Sequence, residues 1–186
     1  MRITGGRSKG RLLSNLKGLD IRPSSDKIRE TIFNIIGQDT SGKKVLDLFA
    51  GTGSLGIEAL SRGAISALFI DNSQRSIKLI EKNLMLAGYE SSGYTLKKDL
   101  NKGLPLKHPL LNNRIDLVFI DPPYRKGHIP SILEQLSNCD LLSSHSVVVA
   151  ESFKNDKIPE DLGRLKLFDT RIYGETKLAI YHYEEI

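Results

Sequence analysis

The chain has 186 residues, of which 39% are hydrophobic, and it carries a net charge of +5 and a single cysteine, Cys139. The length suits one domain, residues 1–186, with a substantial core. One cysteine excludes an internal disulfide framework and a thiolate metal cluster. The absence of a long apolar run and the basic start of the chain argue against a transmembrane helix and a signal peptide. We therefore expect a cytoplasmic monomer that holds no metal.

The positive charge is concentrated at the N-terminus. Residues 1–30 contain eight lysines and arginines and three acidic residues, so this segment has a net charge of +5. The remaining 19 basic and 19 acidic residues cancel. A basic arm on a neutral body predicts contacts with the phosphates of a nucleic acid. A terminus that is merely well solvated has the same composition, and charge alone does not separate these two interpretations.

The first forty residues predict a small extension ahead of the main fold. Residues 2–12 are typical of a short hairpin that turns near Gly5 and Gly6. A helix should then follow Pro23, capped by Ser24 or Ser25 and ended by Gly37. Its apolar positions 28, 32, 35 and 36 share one face, and Lys27 and Arg29 lie off that face. We therefore expect both side chains to be available to a partner.

From residue 44 onward, predicted strands and helices alternate. The strands are expected at 44–49, 67–71, 93–97, 115–120, 146–151, 165–172 and 177–183, and the helices at 54–61, 73–87 and 129–136. Residues 100–114 are expected to form a loop with one helical turn. This order predicts a seven-stranded, mostly parallel sheet with helices on both faces. The last two strands have no helix between them and should pair antiparallel at an edge.

A glycine-rich turn joins the first strand to its helix. Gly51, Gly53 and Gly56 fit the pattern G-x-G-x-x-G, and Asp71 follows Gly51 by 20 residues. This is the dinucleotide fingerprint, in which the backbone approaches a ligand closely and the acid binds ribose hydroxyls. Glycines that serve only a tight turn would give the same pattern.

S-adenosylmethionine (AdoMet) explains more of the pattern than NAD. Asp47, inside the end of the first strand, can hold an ammonium group directly or through water, and NAD has no ammonium there. Asp71 would accept from the ribose hydroxyls and Asp99 from the adenine amino group, although the latter could instead be surface charge. The predicted cofactor residues are Asp47, Phe49, Ala50, Gly51, Thr52, Gly53, Asp71, Asn72, Asp99, Leu100 and Asp121.

The segment Asp121-Pro122-Pro123-Tyr124 follows the apolar run 115–120, which predicts a buried strand. Two prolines cannot continue a strand ladder, so the chain leaves the sheet at its carboxyl edge, where ligands bind in open α/β folds. A carboxylate, free carbonyls and an aromatic ring suit a planar base that carries an amino group. Asp121 and the Pro122 carbonyl would accept its N–H bonds and Tyr124 would stack on it. An ordinary strand-ending turn is the alternative.

These residues resemble Rossmann-like class I AdoMet-dependent methyltransferases, in the loop 45–53 and in the segment 121–124. More narrowly, the segments 2–6 and 22–34 resemble the RsmD family. That resemblance implies methylation of the exocyclic N2 of a guanine in bacterial 16S ribosomal RNA, on free RNA or on a small subunit or its assembly intermediate. It covers residues 1–124, and the rest matches only in pattern. Ser24 and Ser25 stand where such proteins often carry threonine.

Residues 1–40 are then expected to bind RNA, through Arg7, Lys9, Arg11, Arg22, Lys27 and Arg29. Arg22 could instead pin the helix onto the cofactor pocket. Three alternatives remain open: an N6-adenine methyltransferase with the same proton acceptors, an NAD-linked dehydrogenase, and an RNA-binding protein without catalysis. The four histidines have no metal-ligand spacing, and His128 is the one nearest the Asp-Pro-Pro-Tyr segment.

Overall fold

The computed structural model describes residues 1–15, 24–111, 114–123 and 127–184, with the backbone alone at 24 and 25. The helices are α1 Ser24–Ile36, α2 Ser54–Ser61, α3 Gln74–Ala87 and α4 His128–Ser137, and two 3₁₀ turns cover Leu100–Lys102 and Pro109–Leu111. The strands are β1 Lys44–Leu48, β2 Ser66–Asp71, β3 Gly93–Lys97, β4 Ile115–Ile120, β5 Leu142–Phe153, β6 Asp161–Leu162, β7 Leu165–Tyr173 and β8 Thr176–Tyr183. No helix within these ranges is long and apolar enough to cross a membrane.

All the described strands belong to one sheet, in the order β3-β2-β1-β4-β5-β8-β7-β6. Strands β1 to β5 are parallel, and β8, β7 and β6 continue the sheet antiparallel, as the missing helix between the last two predicted strands indicated. The sheet has eight strands rather than the predicted seven. The additional strand, Asp161–Leu162, has two residues, too few to show the alternation that identifies a strand.

Two hydrophobic clusters cover the two faces of the sheet. Helices α1, α2 and α3 pack on one face, around Phe33, Phe69 and Phe119. Helix α4 packs on the other face, in a cluster that includes Leu46 of β1 and Tyr181 of β8. The central strands are therefore buried on both sides, which is the burial expected of parallel strands and of a Rossmann-like fold.

The N-terminal hairpin is present and is fitted closely to α2. Arg2 and Leu12 form an antiparallel bridge, and Gly10 N–H donates to the Ile3 carbonyl at 2.8 Å. Gly6 has φ +73°, and a Cβ there would lie 1.9 Å from the Ser61 carbonyl oxygen. Only glycine fits this position, because it tolerates both the positive φ and the close approach.

A buried carboxylate joins the hairpin to two helices. Glu58 of α2 is 0% exposed. Its Oε2 accepts from Thr4 N–H at 2.8 Å and from Arg29 Nε at 3.1 Å, and its Oε1 accepts from Arg62 Nε at 3.0 Å. Two guanidinium groups and the hairpin backbone thus satisfy one acid, which fixes the hairpin and α1 on α2.

The expectation that Arg29 is available to a partner is wrong. This side chain is 3% exposed, and its guanidinium donates to Glu58, to Asp26 Oδ1 at 2.8 Å and to the Arg2 carbonyl at 2.5 Å. Its donors serve the fold instead of phosphates. Lys27, by contrast, is exposed.

Replacing Glu58 by alanine should destabilise the protein strongly, because it leaves Arg29 and Arg62 buried without their shared counter-charge. We expect a loss of about 3–5 kcal/mol in the free energy of unfolding, measured by urea denaturation. The matched control is Glu175→Ala, which breaks the exposed Lys154–Glu175 pair and should change stability little. Equal losses in the two variants would contradict the role given to Glu58.

Candidate active site at the carboxyl edge of the sheet

The strand registers align four strand ends at one edge. Leu48 of β1 pairs with Ile70 of β2 and with Ile120 of β4, and Ile120 pairs with Ala150 of β5. The residues that follow these four therefore lie in a row: Phe49, Asp71, Asp121 and Glu151. Three of the four are acids. Asp71 and Asp121 lie at the ends of β2 and β4, the two strands that flank β1, and Glu151 lies on β5, which is the next strand after β4.

The glycine loop begins with strained backbone. Phe49 has φ +58°, which is rare for a residue with a Cβ, and Gly51 and Gly53 have φ +54° and +75°. Asp71 Oδ2 accepts from Gly51 N–H at 2.9 Å, so the acid that ends β2 holds the loop that follows β1. Non-glycine strain of this kind costs roughly 1–3 kcal/mol and is found mostly at functional sites.

The three loop glycines have different reasons to be glycine. A Cβ on Gly56 would lie 2.4 Å from the Phe69 ring, so packing excludes a side chain there. A Cβ on Gly53 would make a tight contact of 3.2 Å with Ile80, and the positive φ of Gly53 disfavours a side chain further. A Cβ on Gly51 would meet only the Phe49 carbonyl oxygen at 3.9 Å. The space above Gly51 is therefore open to a ligand that approaches the backbone, as a cofactor at this loop would.

Asp47 lies beneath the loop. It is 2% exposed, and its Oδ2 accepts from Gly56 N–H at 2.9 Å, near the start of α2. Burial, with a contribution from the Asp71 carboxylate, raises the pKa of Asp47 to about 8, against the opposing effect of the Gly56 hydrogen bond. Asp47 is then mostly protonated at neutral pH until a positive charge arrives nearby.

Asp121 has the same electrostatic character. Desolvation by the surrounding protein raises the pKa of Asp121 well above its ordinary value, and the carboxylates of Glu151 and Asp47 raise it further. The residue is nevertheless exposed to solvent on the surface of the protein. Desolvated carboxylates with further carboxylates nearby favour a cationic ligand, and the sulfonium and ammonium groups of AdoMet match this requirement.

The remaining predicted cofactor residues lie near this row. Asp71 is half-buried and also accepts from Ser73 N–H at 2.8 Å through Oδ1, and Asn72 beside it is exposed. Asp99 caps a 3₁₀ turn through a bond from Asn101 N–H at 3.0 Å, with Leu100 buried behind it. Each carboxylate oxygen has two lone pairs, so these bonds leave Asp71 and Asp99 with acceptor capacity. Ala50 and Thr52 belong to the loop and are half-buried.

The other predicted residues divide into three groups. Pro122 is buried beside Asp121, whereas Tyr124 and Arg22 lie outside the described residues. Four basic residues of the extension are on the surface: Arg7, Lys9, Arg11 and Lys27. Arg7 lies over the Tyr89 ring at 5.3 Å, and Arg11 Nη1 donates to the Leu86 carbonyl at 3.3 Å.

Sequence reasoning missed the contribution of β5 and α4. A pocket of about 330 Å³ opens beside Pro122 and Pro123 and is lined further by His128, Ile129, Ser152 and Ile158. The His128 ring lies 5.4 Å from the Phe49 ring, so it bridges this pocket and the glycine loop. The signal for Glu151 was present in the sequence, because the fifth strand also ends on an acid. Nothing in the sequence distinguishes Ser152 from other strand serines.

Comparison with solved structures places the fold in a class. The chain superposes on "Putative methyltransferase yhhF" of Escherichia coli with a TM-score of 0.83, at 28% identity over 99% of this chain and 98% of that one. Fold and site together define a Rossmann-like, AdoMet-dependent methyltransferase.

The family follows from the sequence comparisons. The model of the family described as "Conserved hypothetical protein 95" matches residues 1–182. The chain is 34% identical to "Putative rRNA methyltransferase YlbH" of Bacillus subtilis, over 97% of this chain and 98% of the relative. It is 29% identical to "Ribosomal RNA small subunit methyltransferase D" of Escherichia coli, over 99% of this chain and 90% of the relative. The chain belongs to this family, the RsmD family of rRNA methyltransferases.

The protonated state of Asp47 predicts that AdoMet binds more tightly as pH rises. A bound cation favours the ionised carboxylate, so at neutral pH binding should release the Asp47 proton. Affinity should increase by up to about tenfold per pH unit as pH approaches 8, and level off above it. Calorimetric titrations with AdoMet in buffers of different ionisation enthalpy measure both the affinity and the proton release.

The control is Asp47→Asn, which keeps an acceptor for Gly56 N–H but cannot ionise. Titration of the ligand's own amino group is common to both proteins, so the difference between them isolates Asp47. Stability gives a second readout. Folding raises the pKa of Asp47 from 3.8 to about 8. The wild type should therefore lose free energy of unfolding as pH rises between these values, and Asp47→Asn should lack the contribution of this residue to that loss. Identical pH profiles would contradict the assignment.

Proposed function

We propose that the protein transfers the methyl group of AdoMet to the exocyclic N2 amino group of a guanine in bacterial 16S ribosomal RNA. The coarser part, rRNA methylation with AdoMet, follows from the family. The small-subunit target is supported by the name of the Escherichia coli relative. The choice of guanine N2 is supported by the acids at the ends of β4 and β5.

The observation that carries the proposal is that Asp121 and Glu151 lie beside each other at the ends of neighbouring strands. These acids follow directly paired residues of adjacent strands, and the Glu151 carboxylate contributes to the raised pKa of Asp121. On the Watson–Crick edge of guanine, two donors stand side by side, the N2 amino group and N1–H. Adenine places an acceptor, N1 or N7, on each side of its amino group. A second carboxylate beside Asp121 suits the guanine edge, and it would leave two acceptors facing each other with adenine.

Asp121 and the Pro122 carbonyl then act on the amino nitrogen. The nitrogen lone pair of guanine is delocalised into the ring, so the amine is a poor nucleophile. Acceptance of both N–H bonds by these two groups would hold the nitrogen in place and favour its pyramidal, nucleophilic form. Asp121 acts here in its ionised form, which a bound cationic cofactor would favour. Its raised pKa then makes it a stronger base for the proton that the nitrogen loses, and water is the alternative acceptor.

The cofactor would lie over β1, β2 and β3 and supply an activated methyl group. Asp47 would hold its ammonium directly or through water, Asp71 would accept from the ribose hydroxyls, and Asp99 would accept from the adenine amino group. The open space over Gly51 leaves room for this placement. Tyr124, as the stacking partner of the base, stays a prediction from sequence.

The N-terminal extension, residues 1–40, would bind the RNA around the target. Arg7, Lys9, Arg11 and Lys27 are exposed and would contact phosphates, whereas Arg29 would not. The target base must leave its stack to reach Asp121. We propose that a single-domain monomer does this on a small subunit or on its assembly intermediate.

The product of the reaction tests the assignment. Small-subunit RNA and particles from cells that lack this protein, incubated with the enzyme and radiolabelled AdoMet, should yield N2-methylguanosine after digestion to nucleosides. Replacement of Asp121 by alanine should lower kcat at saturating AdoMet by about a hundredfold or more, because the variant has no group to hold and deprotonate the amine.

Asp116→Ala serves as the control for this variant, since Asp116 lies on the same strand but caps Lys44 N–H at 2.8 Å, away from the strand end. Label in N6-methyladenosine would refute the guanine assignment. A loss of less than about tenfold in the Asp121 variant would refute the role of that residue.

Removal of three charges from the extension tests the proposed binding to phosphates. The variant Arg7→Ala/Lys9→Ala/Arg11→Ala should bind RNA more weakly, and the slope of log affinity against log salt should fall by about 0.7–0.9 for each phosphate that the protein no longer neutralises. The control, Lys154→Ala/Lys166→Ala/Arg171→Ala, removes the same charge from the antiparallel side of the sheet. If the two variants bind RNA equally well across the salt titration, the extension is not the RNA-binding surface.

A further inference from the structure

The pocket beside Pro122 lies on the far side of Asp121 from the glycine loop. In the sheet order, β4 separates β1 from β5, so the predicted cofactor residues cover β1, β2 and β3 while the pocket lies between the ends of β4 and β5 and the start of α4. A group bound in the pocket would therefore reach Asp121 from the side opposite the cofactor. This is the side from which the methyl acceptor must come.

Ser152 is the polar group that makes this pocket informative. The residue is 2% exposed, and its hydroxyl has no hydrogen-bond partner within the described part of the chain. Along β5 it shares a face with Val148 and Ala150, which pack in the cluster that contains α4. That is the face on which the pocket lies. A buried hydroxyl without a partner costs stability that alanine would not cost, so folding alone gives no reason for a serine here.

The walls suit a flat aromatic ring. Pro122, Ile129 and Ile158 provide apolar surfaces, and Ser152 provides a polar group in the pocket lining. The volume of about 330 Å³ is at the lower end of the range for small-molecule sites. Lys157, which is exposed at the pocket, suits the phosphate of a bound nucleotide.

We propose that this pocket receives the flipped target guanine and that the Ser152 hydroxyl donates a hydrogen bond to its O6. The inference rests on the proposed function. With N2 at Asp121, O6 is the group at the far end of the same base edge, and Ser152, on the α4 face of β5, lines the pocket that would hold that end. Asp121, at the end of β4, and Ser152, on β5, would thus bind opposite ends of the same base edge. Ser152 is in this sense a specificity-determining residue that the catalytic tetrapeptide does not include.

Two serine-to-alanine variants on β5 separate this role from a structural one. Ser146 is also buried, but its hydroxyl is satisfied by the Ile115 carbonyl at 2.7 Å. We expect Ser146→Ala to lower Tm and to leave kcat/KM per folded enzyme within twofold of wild type. We expect Ser152→Ala to leave Tm unchanged or raised and to lower kcat/KM for RNA about tenfold, with AdoMet affinity unchanged by calorimetry.

A substrate lacking O6 sharpens the test. In an RNA with 2-aminopurine at the mapped target position, the N2 amine is kept, O6 is absent and N1 carries no hydrogen, so the base change itself also removes the donor that would face Glu151. Ser152→Ala should then have no effect beyond that of the base change, since the partner of the hydroxyl is already missing.

The outcomes separate this inference from the proposed function. Absence of guanine methylation by the wild-type protein would overturn the proposed function. Guanine methylation by Ser152→Ala at the wild-type kcat/KM, or an equal loss on the guanine and 2-aminopurine substrates, would overturn the role of Ser152 alone.

Discussion

The active edge of this protein is governed by the desolvation of carboxylates that the sheet holds close together. Parallel strands must end at the same edge, so acids at the ends of neighbouring strands cannot move apart. Asp47 and Asp121 respond through raised pKa values, to about 8 for Asp47. A cationic ligand favours the ionised form of such carboxylates, and the proposed placement of the sulfonium and ammonium groups of AdoMet rests on this preference. The same basicity suits Asp121 for an amine that must lose a proton.

A second buried acid connects this edge to the N-terminal extension. Helix α2 starts at the glycine loop and carries Glu58 one turn later, where it binds Thr4 of the hairpin and Arg29 of α1. A buried ion pair is a weak argument for net stability, because desolvation offsets much of the attraction. Its effect here is positional: the surface bearing Arg7 and Arg11 and the glycine loop are attached to one short helix.

The sequence predicted the parallel part of the fold well, because buried strands and amphipathic helices leave strong periodic signals. It also located the acids at strand ends, since each follows an apolar run. It was wrong about Arg29, because a position off the apolar stripe of a helix is normally solvated, and the partner that buries it lies 29 residues away in another helix. Strand β6 and the unsatisfied hydroxyl of Ser152 depend on tertiary packing and leave no local pattern.

The choice of base illustrates the same limit. The tetrapeptide at 121–124 supplies acceptors for an amino group, and both guanine and adenine carry one. What separates the bases is the neighbouring atom, which is N1–H in guanine and an unprotonated nitrogen in adenine. In the proposed site, that atom would face the next strand of the sheet, not the next residue of the chain. Glu151 and Ser152 are 30 and 31 residues beyond Asp121 in sequence, and only the pairing of β4 with β5 brings them to the same edge. On this proposal, strand order decides base identity, and a motif contained within one loop would not encode it.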